Sequence, residues 1–216
     1  GARAAAASGD PAVAGPAMGL RARALAATGR PDSALAVYDA AIARWRDPGP
    51  LLTELRFARA GLLERLGRWP LASAGYRALV AADPSHPLAV LSLQRVVEHH
   101  LGAGEGEMAR SEARQADVHL DELLATDHDP VVRRSVLEVR AGIALALGEA
   151  AAAESLYTLL WHREPDDSLA QAGALAAARL VSTGPGAAAA AALEDTLAWR
   201  ARNPAVRRAA AAARTP

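Results

Sequence analysis

Apolar residues recur along this chain at helical spacing, in stretches broken by Gly and Pro. Between 31 and 46, Ala34, Leu35, Tyr38, Ile42 and Trp45 fall on one face, while Asp32, Asp39, Arg44 and Arg46 lie largely elsewhere. That is the stripe of an amphipathic helix. The stretch 70–83 repeats the design with Leu71, Ala72, Tyr76, Leu79 and Val80. β-Branched residues are sparse and no hairpin dipeptide sits between alternating runs, so strands are not expected. The pattern predicts helices at 16–28, 31–46, 51–66, 70–83, 88–101, 106–126, 130–147, 149–163, 167–182, 186–202 and 204–214. Gly, Ala and Pro dominate 1–15, which reads as a loose arm.

The ends of these helices carry their own signals. Asp129-Pro130 and Asn203-Pro204 read as an N-cap followed by a first-turn proline. Gly29, Gly67 and Gly148 follow apolar helices, where a left-handed residue ends a helix at little cost. Asp83-Pro84-Ser85-His86-Pro87 cannot continue a helix and must turn.

An internal repeat runs through these elements. Seven residues before Gly29 stands Ala22, five after it Ala34, and nine after it Tyr38. The same offsets from Gly67 give Ala60, Ala72 and Tyr76, and from Gly148 they give Ala141, Ala153 and Tyr157. The chain has only 3 tyrosines, and each takes the same place in the pattern. Pro84 and Pro165 both lie 17 residues after their glycine; Pro48 lies 19 after Gly29.

This pattern resembles the tetratricopeptide repeat, a unit of about 34 residues. The resemblance implies an all-α fold: a right-handed superhelix of antiparallel helical hairpins, a TPR-like α-solenoid. The small alanines let paired helices approach, the tyrosines fill space towards the next unit, and the proline closes the second helix. Trp69 matches the aromatic that often begins the second helix; Pro31 and Ala150 do not. Met18, Arg56 and Leu137 stand where a bulky aromatic is expected early in the first helix. The expected organisation is one domain over 16–214, of about five hairpins, with 204–214 as a capping helix. Arg207, Arg208 and Arg214 would supply its polar outer face. A degenerate unit with a long second helix occupies about 88–129, and another about 167–203.

Composition narrows the function. Hydrophobic residues make up 51% but aromatics only 4%, so the core must come from many close helix contacts. All 24 basic residues are arginine and balance 24 acidic ones. A GC-rich genome accounts for the arginine bias. Zero net charge argues against bulk nucleic-acid binding. No cysteine is present, which removes thiol catalysis, thiolate metal sites and disulfides. No apolar run is long enough to span a membrane.

Candidate chemistry is thin. His99 and His100 are adjacent, so on a helix they point about 100° apart and cannot easily share a metal ion. They read as helix C-terminal charges. Asp121-Glu122 and Asp166-Asp167 read as solvated or N-terminal charges. Gly102-Ala103-Gly104-Glu105-Gly106 follows a helix rather than a strand and lacks lysine, so it is a hinge and not a phosphate loop; Gly184-Pro185-Gly186 reads the same way. No catalytic residues, metal or cofactor are expected.

What remains is a surface. In the repeat family the first helix of each unit lines a concave groove, and that resemblance places Arg23, Glu54, Phe57, Gly61, Glu64, Arg65, Glu138 and Gly142 near the inner face. Gly61 and Gly142 hold the same place in their units, for a partner's approach or for tight packing. The expected function is a non-catalytic protein–protein interaction scaffold. It would be an accessory or assembly subunit of a larger complex, periplasmic or membrane-peripheral in a bacterium. The alternative is a superhelical, non-catalytic segment of a cell-wall enzyme resembling soluble lytic transglycosylases.

Overall fold

A computed structural model describes residues 11–45, 49–180 and 187–212. Among these residues all regular structure is helical: α1 (Pro11–Ala27), α2 (Pro31–Arg44), α3 (Pro50–Arg65), α4 (Trp69–Ala82), α5 (Pro87–Gly102), α6 (Gly106–Thr126), α7 (Pro130–Leu147), α8 (Ala150–Arg163), α9 (Ser168–Leu180), α10 (Ala187–Arg200) and α11 (Pro204–Ala212). Proline opens α1, α2, α3, α5, α7 and α11, where its missing N–H has no intrahelical acceptor to satisfy. Both expected caps form. Asp129 accepts from the Val131 amide at 2.8 Å, and Asn203 from that of Ala205 at 2.9 Å.

One boundary differs. Helix α1 begins at Pro11, ahead of the expected start at 16, and carries Pro16 inside it. Residues 11–15 are therefore helix rather than loose arm, and 1–10 lie outside the described residues. Proline at 16 reads as a start signal in sequence, yet a proline this near the N-terminus forfeits only one helical bond. Pro48, Gly184-Pro185-Gly186 and Arg214 also lie outside the described residues.

Each repeat glycine is left-handed, with φ of 73° at Gly29, 69° at Gly67 and 76° at Gly148. Gly104 joins them at 77°. The same two hydrogen bonds close all four turns. The glycine amide donates to the carbonyl three residues back, and the next amide donates to the carbonyl five residues back: Arg30 to Leu25, Arg68 to Leu63, Glu105 to His100 and Glu149 to Ala144, at 2.8–2.9 Å. The glycine-rich stretch at 102–106 is thus a tight hairpin turn and not a hinge. Pattern reading missed it because no tyrosine follows.

Contacts divide the chain into two compact units, Gly1–Leu93 and Gln94–Pro216. In the first unit α1 packs on α2, α2 on α3 and α3 on α4, and α1 also touches α3. Small residues permit this closeness. A Cβ on Gly15 would lie 2.2 Å from Leu51, and one on Gly75 would lie 3.2 Å from the Ala60 Cβ. Ala22, Ala34 and Ala72 are fully buried, as are Ala141 and Ala153 of the second unit.

In the second unit α6 packs on α7, α8 on α7 and α9, α10 on α9, and α11 closes the end against α9 and α10. Arg207 and Arg208 face outward there. Tyr157, Leu160, Trp161, Ala174, Leu197 and Val206 share one core. Gln171 is fully buried among them and satisfied: its Nε2 donates to the Pro165 carbonyl at 2.5 Å and its Oε1 accepts from the Asn203 amide at 2.8 Å. That one side chain fixes the start of α11 to the turn before α9.

The ring of Tyr157 lies directly over Gly173 of α9, where a Cβ would stand 2.3 Å from it. This places the repeat tyrosine against the next hairpin. Helix propensity favours Gly173→Ala by about 1 kcal/mol, but a buried ring cannot yield as a flexible chain would. We expect this variant to be less stable by about 1–2 kcal/mol, read as a lower urea midpoint with unchanged slope. A midpoint at or above that of the wild type would contradict the contact.

Candidate partner-binding surface

The structure distributes the eight groove residues over three places. Arg23, Glu54 and Arg65 come together in the first unit, on the grooves beside Tyr38. One groove, of about 400 Å³, is walled by α1, α2 and α3 through Arg23, Ala27, Tyr38, Leu62 and Arg65. A smaller one, of about 160 Å³, is lined by Leu20, Arg23, Tyr38, Glu54 and Leu55. All three charged residues are exposed: Arg23 lines both grooves, Arg65 the larger and Glu54 the smaller. Tyr38 itself is 2% exposed.

Phe57, Gly61 and Glu64 gather instead around Tyr76. The Tyr76 hydroxyl donates to the Glu64 carboxylate at 2.8 Å, and the Phe57 ring packs at 5.7 Å on the Tyr76 ring. Phe57 is half-buried, so it serves the hairpin and still shows an edge. A Cβ on Gly61 would make an ordinary 3.5 Å contact with the Tyr76 hydroxyl, so Gly61 is not forced by packing.

Glu138 and Gly142 lie in the second unit and are engaged internally. Gly142 is closed over by Gln94, whose amide would stand 2.4 Å from a Cβ there. Glu138 pairs with Arg134 at 2.7 Å. The same guanidinium reaches Glu164 and Asp167, each at 2.7 Å. Burial opposes its charge, but the bond to Glu138 and the three carboxylates together raise its pKa.

The acidic pairs have structural work. Asp121 pairs with Arg140 across α6 and α7. Asp166 takes Arg202 at 2.5 Å, while Asp167 both takes Arg134 and caps α9 through the Leu169 amide at 2.8 Å. His100 Nδ1 sits 2.5 Å from Glu105 across the turn. Among the described residues no three His, Asp or Glu side chains converge as a metal site would require. No helix of the described residues is long and apolar enough to cross a membrane.

Counting from Gly104 puts the degenerate unit at about 88–129 into register with the others. Val97, Ala109 and Ala113 stand at the repeat offsets, and all are buried. The glycine spacings become 67 − 29 = 38, 104 − 67 = 37 and 148 − 104 = 44. The last is longer because α6 has 21 residues, against 14 in α2, α4 and α8. The spacing near 37 was the available signal; alanine in the tyrosine's place hid it.

No protein-family model matches this chain, and no curated protein matches it. Solved structures do. A tetratricopeptide repeat protein from Parabacteroides merdae ATCC 43184 superposes with a TM-score of 0.55 at 15% identity, over 93% of this chain and 72% of that one. The nearly identical TPR-like repeats of a kinesin light chain described from Podosopora anserina give 0.56 at 16% identity, over 97% of this chain and 100% of that one. At such identities the likeness establishes the fold: a TPR-like array of helical hairpins.

Two of the repeat tyrosines titrate late. Burial raises the Tyr38 phenol above its usual pKa, with Arg23 and Arg65 pulling the other way. Burial likewise raises Tyr157, and Glu138 and Glu98 add to it. A folded pKa above the unfolded value gives stability that is complete below the unfolded pKa, near 10, and is lost as pH rises through the folded one. Urea midpoints should therefore be insensitive to these phenols up to about pH 9 and fall above about pH 10. Tyr157→Phe should make that alkaline fall shallower; an unchanged slope would remove Tyr157 as its cause.

Proposed function

We propose that this protein is a non-catalytic protein–protein interaction scaffold, docked as an accessory or assembly subunit on a larger complex. The TPR-like hairpin array supports the interaction role. The finer reading rests on one observation above others: Trp199 of α10 is 79% exposed. An indole presented to water on an ordered helix gains nothing for the isolated fold, and tryptophan is the residue type that most often anchors an interface. Leu169 and Val131, 58% exposed each, offer further apolar surface in the same unit. The complex is placed at a membrane or in the periplasm by the same proposal, and the identity of its other subunits would give the compartment.

The test is purification of the native protein from its source in mild detergent, with identification of what accompanies it. A stoichiometric partner is expected, and Trp199→Ala should weaken that association at least tenfold, about 1.4 kcal/mol or more, without changing thermal stability. Recovery of a lone monomer would sink the subunit reading. A partner retained equally by Trp199→Ala would move the docking surface elsewhere on the array.

A further inference from the structure

The second helix of each hairpin carries a large apolar pair nine and thirteen residues after its turn glycine. The pairs are Tyr38 and Ile42, Tyr76 and Val80, and Tyr157 and Trp161. After Gly104 the same positions hold Ala113 and Asp117. Ring and branched side chain are both missing from α6, while α7 and α8 keep their apolar faces towards it.

A cleft of about 300 Å³ opens at that place, between α6, α7 and α8. Its apolar wall is made by Ala113, Ile143, Ala144, Leu147 and Leu156. Three guanidiniums stand around it, from Arg110, Arg114 and Arg140, against the carboxylates of Asp117 and Glu149. Two of the three are already engaged: Arg110 lies 2.6 Å from Glu107, and Arg140 holds Asp117 at 3.4 Å and Asp121 more closely. Arg114 is exposed and has no ion-pair partner among the described residues. The cleft therefore combines an apolar slot, in the place where three other hairpins put a large ring, with an available cation at its edge.

We propose that this cleft receives an aromatic side chain from an acidic segment of the partner protein, with a flanking carboxylate on Arg114. The inference rests on the scaffold reading and gives it a site. A planar ring suits the slot because it restores the apolar contact that Ala113 removes, and an arginine can lie against the ring face as well as bind an acid. Neighbouring carboxylates meet a guanidinium whose fork matches their geometry. A cleft of this size lies at the lower bound for small-molecule sites, about 300 Å³, which is room for one side chain and its near neighbours.

The test is titration of the full chain with acetyl-Glu-Asp-Tyr-Asp-amide, followed by calorimetry and by amide chemical shifts. The wild type should bind, with shifts confined to α6, α7 and α8, and the peptide with alanine for tyrosine should bind at least tenfold more weakly. Ala113→Tyr fills the slot in the manner of the other hairpins and should abolish binding. Arg114→Glu alters only an exposed position, so its fold is secure, and it should weaken binding at least tenfold. Binding that survives both substitutions overturns the proposal. So does self-association of the wild type that Ala113→Tyr abolishes, since a second copy would then be the occupant. A wild-type protein that holds its co-purified partner yet ignores the peptide overturns the cleft alone and leaves the scaffold reading standing. One that binds neither overturns both.

Discussion

The left-handed turn residue is the constraint from which the rest of this structure follows. Four helix reversals in this chain are each made through one residue at positive φ, which glycine adopts without a Cβ clash. These residues are Gly29, Gly67, Gly104 and Gly148, and each turn is closed by the same pair of backbone hydrogen bonds. With the reversal fixed, every later position has a set distance from the turn. Ala34, Ala72, Ala109 and Ala153, each five residues on, are all fully buried for that reason.

Packing then divides the labour between small and large residues. Helix approach is closest at Gly173, where an added methyl would run into the Tyr157 ring, and at Gly75, where it would crowd the Ala60 Cβ. Bulk comes from a few rings, above all the tyrosines, because an alanine-rich chain buries little area per residue. Polar ties finish the second unit. Gln171 ties two segments and Arg134 gathers three carboxylates, and the fully buried Gln171 amide is satisfied at both ends, which is what makes its burial tolerable. The candidates for partner binding are the grooves beside Tyr38, the exposed Trp199 and the cleft beside Ala113.

The fold was legible where local chemistry is periodic. Turn glycines, first-turn prolines and the tyrosine offsets marked the hairpins, and the caps at Asp129 and Asn203 stood where the sequence pattern put them. The third hairpin was legible only as a degenerate unit at about 88–129, its turn glycine unmarked, because Ala113 and Asp117 replace the marker residues and α6 runs two turns longer than its counterparts. Site residues were less legible still. Repeat position puts Gly61 and Gly142 in one class, yet one faces the Tyr76 hydroxyl and the Arg65 guanidinium at ordinary contact and the other is covered by the Gln94 side chain. Such differences arise between helices distant in sequence, where no periodicity reports them. The joint roles of Arg134 and Asp167, 33 residues apart, are hidden for the same reason.

The array stands or falls on the turn at Gly104, the one that sequence pattern did not mark. Gly102 offers an internal control two residues away, since a Cβ at either position meets nothing within 4 Å and only Gly104 has positive φ. Alanine should therefore act through backbone conformation alone at both. Measuring the unfolding free energies of Gly104→Ala and Gly102→Ala separates the two. The account predicts a loss of about 1 kcal/mol or more at Gly104 and a gain of up to about 1 kcal/mol at Gly102. Equal effects of one sign at the two sites would contradict a left-handed hairpin turn there, and with it the third hairpin of the array.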